Sequence, residues 1–252
     1  MKNERKKHEN PTISNRTIPA VLYGEPAKQG YVFLHGQMGR KEEAEAFAQV
    51  VCPKGLQVLS MDLPGHGERQ GRGEELLPWT AVADIQAALD WAERRWKTTS
   101  LRANSIGAYF AMLAFDTPGR ALLVSPILDM EYLILAMMGW AGVTEEQLQA
   151  QGEIATAFGQ TLSWKYLCWV REHSVHNWTC PLRWRTPTAI LYGARDHLTD
   201  RETVEAFAAR NGCRLTVEEA GEHWFHTPEQ LAVLRKWEET EALPCGVEIS
   251  AW

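Results

Sequence analysis

The chain has 252 residues, 45% hydrophobic and 23% charged, which suits one large domain or two small ones at roughly 100–200 residues each. Lys and Arg number 26 against 32 Asp and Glu, a net charge of −6, so nothing general draws the chain to nucleic acid or to an anionic membrane. Nineteen Gly and twelve Pro are near the average share, which excludes collagen-like and low-complexity chains.

The basic start MKNERKKHEN lacks the apolar stretch of a secretory signal, so residues 1–17 are expected to be a flexible, solvated tail. The most apolar stretch, 132–143, falls short of the roughly 18 residues a membrane span needs and holds Gly139 and Gly142. Strands are predicted over 18–23 and 31–35, parted by Gly24-Glu25-Pro26, and a helix over 42–52 stopped by Pro53 and Gly55. A strand over 56–62 runs into Pro64-Gly65-His66-Gly67. Residues 79–96 form an amphipathic helix, with Val82, Ile85, Leu89 and Trp96 on one stripe. A strand over 99–104 leads into a small-residue helix over 106–115. Further strands are expected over 121–125, 188–192 and 213–218, and a helix over 201–210. A last helix starts at Thr227-Pro228-Glu229-Gln230, a capping box with Pro at the first helical position.

This β-α-β rhythm implies a mostly parallel, doubly wound sheet with helices on both faces. Residues 127–185 interrupt it and carry Trp140, Trp164, Trp169, Trp178 and Trp184; they read as a helical cap, with 18–126 and 186–252 as the core. The five cysteines (Cys52, Cys168, Cys180, Cys213, Cys245) include no CxxC pair, which argues for reduced thiols and a cytoplasmic setting.

The sharpest chemical signal is Ala103-Asn104-Ser105-Ile106-Gly107-Ala108, between a predicted strand and a predicted helix. A Ser at such a turn is forced into strained backbone, with its hydroxyl pushed out above the sheet. The residues two before and two after must be small, and Ala103 and Gly107 are. Ser105 also heads a helix, where exposed N–H groups favour a developing anion. By itself the segment reads equally well as a helix-capping Ser.

From about residue 20 to 237 the sequence resembles the α/β-hydrolase superfamily, in its serine esterase and lipase-like branch with a helical cap. His35-Gly36-Gln37-Met38-Gly39 stands where that family has its oxyanion loop. Asp62-Leu63-Pro64-Gly65-His66-Gly67 matches its D-x-x-G-H-G turn, Gly193-Ala194-Arg195-Asp196 its G-x-x-D, and Gly221-Glu222-His223 its late Gly-x-His. The order Ser105, Asp196, His223 is the chain order of that fold. The resemblance implies an α/β fold, a Ser105 nucleophile, a His223 base and an Asp196 acid. It also implies an oxyanion hole from the backbone N–H groups of Gln37 and Ile106, and no cofactor or metal. Ala103 stands for the first Gly of G-x-S-x-G, Asn104 where the family often has His, and Arg102 lies in a strand expected to be buried on both faces.

Competing residues have local explanations. His226 directly precedes the capping Thr227, and Asp200 heads a helix. Asp129 follows the strand ending near residue 125, where some members carry their acid, but the Gly-x-x-Asp turn favours Asp196. His35 and His66 suggest metal ligands with His223, yet no H-E-x-x-H or spaced Cys/His set accompanies them; turn support is their ordinary role. His173 and His176, like the Trp residues, suit packing.

The expected activity is cleavage of small to medium apolar acyl or aryl esters through an acyl-enzyme. His35, Met38, Trp140, Trp164, Trp169 and Trp224 are candidates for the substrate pocket. Ser at the elbow argues against the Asp-nucleophile dehalogenases and epoxide hydrolases. Thioester hydrolysis, acyl transfer, peptide cleavage and C–C hydrolysis use the same triad, and a non-catalytic ligand-binding protein on this scaffold is the rival of another class. The expected partner is a small-molecule ester; oligomeric state stays open.

Overall fold

The computed structural model describes residues 12–13, 16–73, 75–115, 118–157, 159–173 and 187–242. Its centre is a seven-stranded sheet in the order β11-β10-β7-β6-β4-β5-β3. The strands are β3 (Ala20–Tyr23), β4 (Gln29–Leu34), β5 (Gln57–Met61), β6 (Thr98–Asn104), β7 (Ala121–Val124), β10 (Thr188–Gly193) and β11 (Arg214–Glu218). Only β3 runs antiparallel, against β5; the other pairings are parallel. Parallel strands need crossover helices, so both faces are covered and β3, β4, β7 and β10 are rich in apolar residues. Alternate residues then feed two cores: Val32 and Leu34 of β4 join one, Tyr31 and Phe33 the other.

The first core is closed by α2 (Pro78–Glu93), α3 (Ser105–Ala114) and α7 (Arg201–Asn211). The second is closed by α1 (Ala44–Val51) and α8 (Pro228–Glu241). Pro78 takes the first helical position of α2, where its missing N–H costs nothing. The helix ends before the predicted limit, and the Trp96 indole N–H beyond it donates to the Gln57 side chain at 3.0 Å. Thr227 caps α8, accepting from the Gln230 backbone N–H at 3.3 Å.

Within the segment expected as a flexible tail, β1 (Thr12–Ile13) and β2 (Arg16–Thr17) pair antiparallel. Between β7 and β10 the chain builds α4 (Met130–Ala141), α5 (Glu145–Gln151) and α6 (Trp164–Glu172). It also builds the hairpin of β8 (Glu153–Ala155) and β9 (Thr161–Ser163), where a purely helical insertion was expected. Three-residue strands are too short for periodicity to register; Gly159, with φ of 81°, marks the turn between them. Ile134, Met138, Leu148, Leu162, Leu167 and Val170 of this segment join the first core, continuous with α3. Trp178, Trp184 and His176 lie outside the described residues. Among the described residues no helix is long and apolar enough to cross a membrane.

Candidate active site

Four chain segments meet at the C-terminal end of the sheet. The first is the β6–α3 junction. Ser105 has φ of 49°, left-handed backbone that costs a non-Gly residue on the order of 1–3 kcal/mol and persists only where its surroundings enforce it. The enforcement is steric: a Cβ at Gly107 would overlap the His35 carbonyl oxygen, so a Gly there lets α3 descend against β4.

The second segment is the turn after β4. Gly39 N–H donates to the Gly36 carbonyl at 3.1 Å, and Met38 carries φ of 61°. A Cβ on Gly36 would stand 3.3 Å from the Ser105 Cβ, so this turn passes in contact with the Ser105 elbow, with the Gln37 backbone beside it. His35 braces the turn from below. Its Nε2 accepts from the Leu63 backbone N–H at 3.1 Å, so Nδ1 carries the proton and donates to the Gly36 carbonyl at 2.8 Å. Burial pushes the His35 imidazole down to about 4. With 0% exposure and both ring nitrogens engaged, His35 does not line a pocket, and that expectation is corrected.

The other two segments carry Asp196 and His223. Gly193 ends β10, and a Cβ there would lie 2.6 Å from the Glu222 carbonyl oxygen and from Gly221. The two glycines let the loop after β11 press against the loop after β10, joined by Arg195 N–H to the Gly221 carbonyl at 2.9 Å. His223 Nδ1 then lies 2.7 Å from Asp196 Oδ2 and Nε2 2.7 Å from Ser105 Oγ. A carboxylate only accepts, so Nδ1–H donates to Asp196 and Nε2 faces the Ser105 hydroxyl as acceptor. Asp196 Oδ1 accepts from the backbone N–H of Leu198 at 2.8 Å and of Thr199 at 3.4 Å, contacts the sequence reading had not anticipated.

The rival residues are occupied elsewhere. Asp129 caps α4, accepting from Tyr132 N–H at 2.8 Å, and Asp200 caps α7, accepting from Thr203 N–H at 2.7 Å. His226 sits with Nδ1 2.8 Å from the Trp224 carbonyl and 3.4 Å from the Glu222 carboxylate. The D-x-x-G-H-G turn is structural: buried Asp62 accepts from the Lys41 and Glu68 backbone N–H groups at 2.8 and 3.0 Å and pairs with the Lys41 ammonium at 3.2 Å. A Cβ at Gly67, whose φ is 52°, would collide with that carboxylate. Among the described residues no group of three His, Cys, Asp or Glu is placed to hold a metal ion.

The segment between β7 and β10 reaches the site at two points. Ile127 N–H donates to the Ser105 carbonyl at 3.3 Å, and the Gln37 amide donates to the Gln160 side chain, just before β9, at 3.2 Å. Trp164 and Trp169 are half-buried against the first core, and Trp169 stacks on His173 at 4.1 Å. Met38, Trp224 and Trp140 are 88%, 74% and 61% exposed. A polar cleft of about 540 Å³ opens beside the Gly36–Gly39 turn, lined by Met38, Arg40, His66, Glu68 and Gln70.

The fold is that of an α/β hydrolase. Residues 31–234 match the model of the alpha/beta hydrolase family, and the chain belongs to it. No curated protein matches the sequence. Among solved structures, the chain is similar to Est1E from Butyrivibrio proteoclasticus with bound ferulic acid. The two share 19% identity and a TM-score of 0.72, over 90% of this chain and 96% of that one. It is similar also to alpha/beta hydrolase domain-containing protein 10 from mouse (14% identity, TM-score 0.72, 88% and 93% covered). A third is the esterase Pf2001 from Pyrococcus furiosus (19% identity, TM-score 0.61, 88% and 84% covered). At these identities the likeness speaks for the fold.

Proposed function

We propose that this α/β hydrolase is a carboxylic ester hydrolase that works through a Ser105 acyl-enzyme. The observation that carries the reading is the unbroken line Ser105 Oγ–His223–Asp196, with 2.7 Å at each link and Ser105 on a left-handed elbow. A serine hydroxyl is too weak an acid to attack a carbonyl unaided. His223 Nε2 takes its proton as the Oγ–C bond forms, and Asp196 keeps the imidazole in the accepting tautomer and stabilises the imidazolium. The carbonyl oxygen becomes an anion beside the backbone N–H groups of Ile106 and Gln37. One such donor is worth about 3 kcal/mol at the transition state. Collapse expels the alcohol, which takes the proton from His223. Water, deprotonated by the same imidazole, then releases the acid and restores Ser105.

The segment 127–185 is proposed as the cap over this site, with Trp164 and Trp169 as apolar walls for a small or medium acyl or aryl group. Met38 and Trp224 would flank its mouth. The intact hydrogen-bonded line weighs against a non-catalytic ligand-binding protein. Thioesterase chemistry uses the same line and is separated by assay. The test is steady-state hydrolysis of p-nitrophenyl and aryl esters of graded acyl length, with acyl thioesters in parallel and Ser105→Ala and His223→Ala as controls. Ester turnover that both substitutions abolish is the expected result. Thioester turnover alone would move the assignment to a thioesterase, and no turnover of either would remove it.

A further inference from the structure

Arg102 stands in the middle of the sheet, on a strand with neighbours on both sides, and is 1% exposed. Its Nε donates to Glu238 Oε1 of α8 at 2.9 Å, and its guanidinium lies over the rings of Phe33 and Phe47 at 5.4 and 5.9 Å. Burial pushes the Glu238 carboxyl up while Arg102 pulls it back. A desolvated pair of this kind gains little net stability, and apolar residues of similar volume often serve as well. Stability therefore does not account for a charge here, whereas the direction of the guanidinium fork does. The Nη1 group donates to the Ala103 carbonyl at 3.2 Å and to Asn104 Oδ1 at 2.6 Å, a short charge-assisted bond to the residue preceding the nucleophile.

Asn104 is a joint between two parts of the site. A Cβ on Gly36 would lie 3.8 Å from the Asn104 Cβ, so Asn104 packs under the turn proposed as the oxyanion loop while leading directly into the left-handed Ser105. The same helix that supplies Glu238 also grips the loop carrying His223. Gln230 of α8 donates to the Ala220 carbonyl at 3.1 Å and accepts from His226 N–H at 3.2 Å. One rigid element thus holds both the base loop and, through Arg102, the nucleophile elbow.

We propose that Arg102 is a positioning residue. Anchored on Glu238, its guanidinium fixes Asn104 and so sets the Ser105 elbow against the base loop held by the same helix. The inference rests on Ser105 being the nucleophile. A misplaced elbow weakens interactions made in the transition state more than those made with bound substrate, so the loss falls on kcat rather than KM. Displacement of about 1 Å costs on the order of 10²-fold.

The experiment measures the second-order rate of fluorophosphonate labelling, kcat and KM for p-nitrophenyl acetate, and Tm, for wild type, Arg102→Lys, Asn104→Ala and their combination. Lys keeps a charge for Glu238 but cannot fork to both partners. Each single variant is expected to slow labelling and kcat by about 10- to 100-fold with KM within about 3-fold, and the combination is expected to be no slower than Asn104→Ala alone. Labelling of Arg102→Lys at the wild-type rate, or a full multiplicative loss in the combination, overturns the proposal. If Arg102→Lys does not fold, the paired Arg102→Met and Glu238→Leu replacement removes the strut without stranding a charge, with the same expectation. If that pair does not fold either, Asn104→Ala labelling at the wild-type rate is overturning. A folded wild type that takes no label removes the nucleophile reading itself, which is a different result from any of these.

Discussion

Asp196→Asn changes one atom and leaves the shape of the site alone, so the structure permits its effect to be worked out. Asp196 accepts on both oxygens: from His223 at 2.7 Å on Oδ2 and from Leu198 N–H at 2.8 Å on Oδ1. An amide offers one acceptor and one NH₂ donor. If its oxygen stays on Leu198, which the rigid backbone N–H favours, the NH₂ donates to His223 Nδ1. The imidazole proton then moves to Nε2 and points at Ser105 Oγ, removing the lone pair that must take the serine proton. Turning the amide over sets NH₂ against Leu198 N–H instead, an unfavourable donor–donor contact. The expected loss in kcat is up to about 10⁴-fold, or roughly 5 kcal/mol, with the fold intact. Asp129→Asn is the matched control: Asn caps a helix as well as Asp does, so α4 and turnover should change by less than about threefold. The assay is p-nitrophenyl ester hydrolysis with circular dichroism on both variants. If Asp196→Asn kept turnover within about tenfold while Asp129→Asn lost it, the acid would belong to the earlier strand and the reasoning from Leu198 would fail.

Burial pushes the His35 imidazole down to about 4, below the ordinary value near 6.5, so its contribution is complete above about pH 6.5 and is lost as pH falls towards 4. At 1.36 kcal/mol per pH unit this totals about 3 kcal/mol. Urea midpoints should fall over that window in wild type and less steeply in His35→Gln; parallel curves would refute the assignment. Among the described residues the buried Tyr109 and Tyr166 hydroxyls have no hydrogen-bond partner, so Tyr109→Phe and Tyr166→Phe should leave Tm unchanged or raise it by about 2–4 °C, and a clear drop in both would show that the hydroxyls are bonded. In the proposed cap, Trp164→Ala or Trp169→Ala should raise KM for longer acyl esters while sparing acetate. If an indole covers about 100 Å² of ligand, the loss is about 2–3 kcal/mol. Equal effects on both esters would make these residues structural cover.

Much of the sheet was legible because strands such as β3, β7 and β10 are short runs rich in apolar residues, a pattern that burial on both faces imposes. The geometry of the proposed site was legible where sterics constrain one residue type at one place: Ser105 on its left-handed turn, Gly107 beneath the His35 carbonyl, Gly193 and Gly221 back to back. What stayed hidden depends on residues far apart in sequence. The partner of Arg102 is Glu238, on the last helix, and no local pattern joins them. His35 reads equally as a pocket wall or a turn brace until its two ring nitrogens are seen to hold Leu63 and Gly36. The β8–β9 hairpin was missed because three residues carry no period.

The central claim is that Ser105 is a nucleophile activated by His223. It is tested most directly by treating the folded protein with a fluorophosphonate, which an activated serine attacks at phosphorus, and following intact mass and the labelled peptide. One adduct per chain on Ser105, absent in Ser105→Ala and strongly slowed in His223→Ala, is the predicted result; no adduct on folded protein, or an adduct elsewhere, would contradict it.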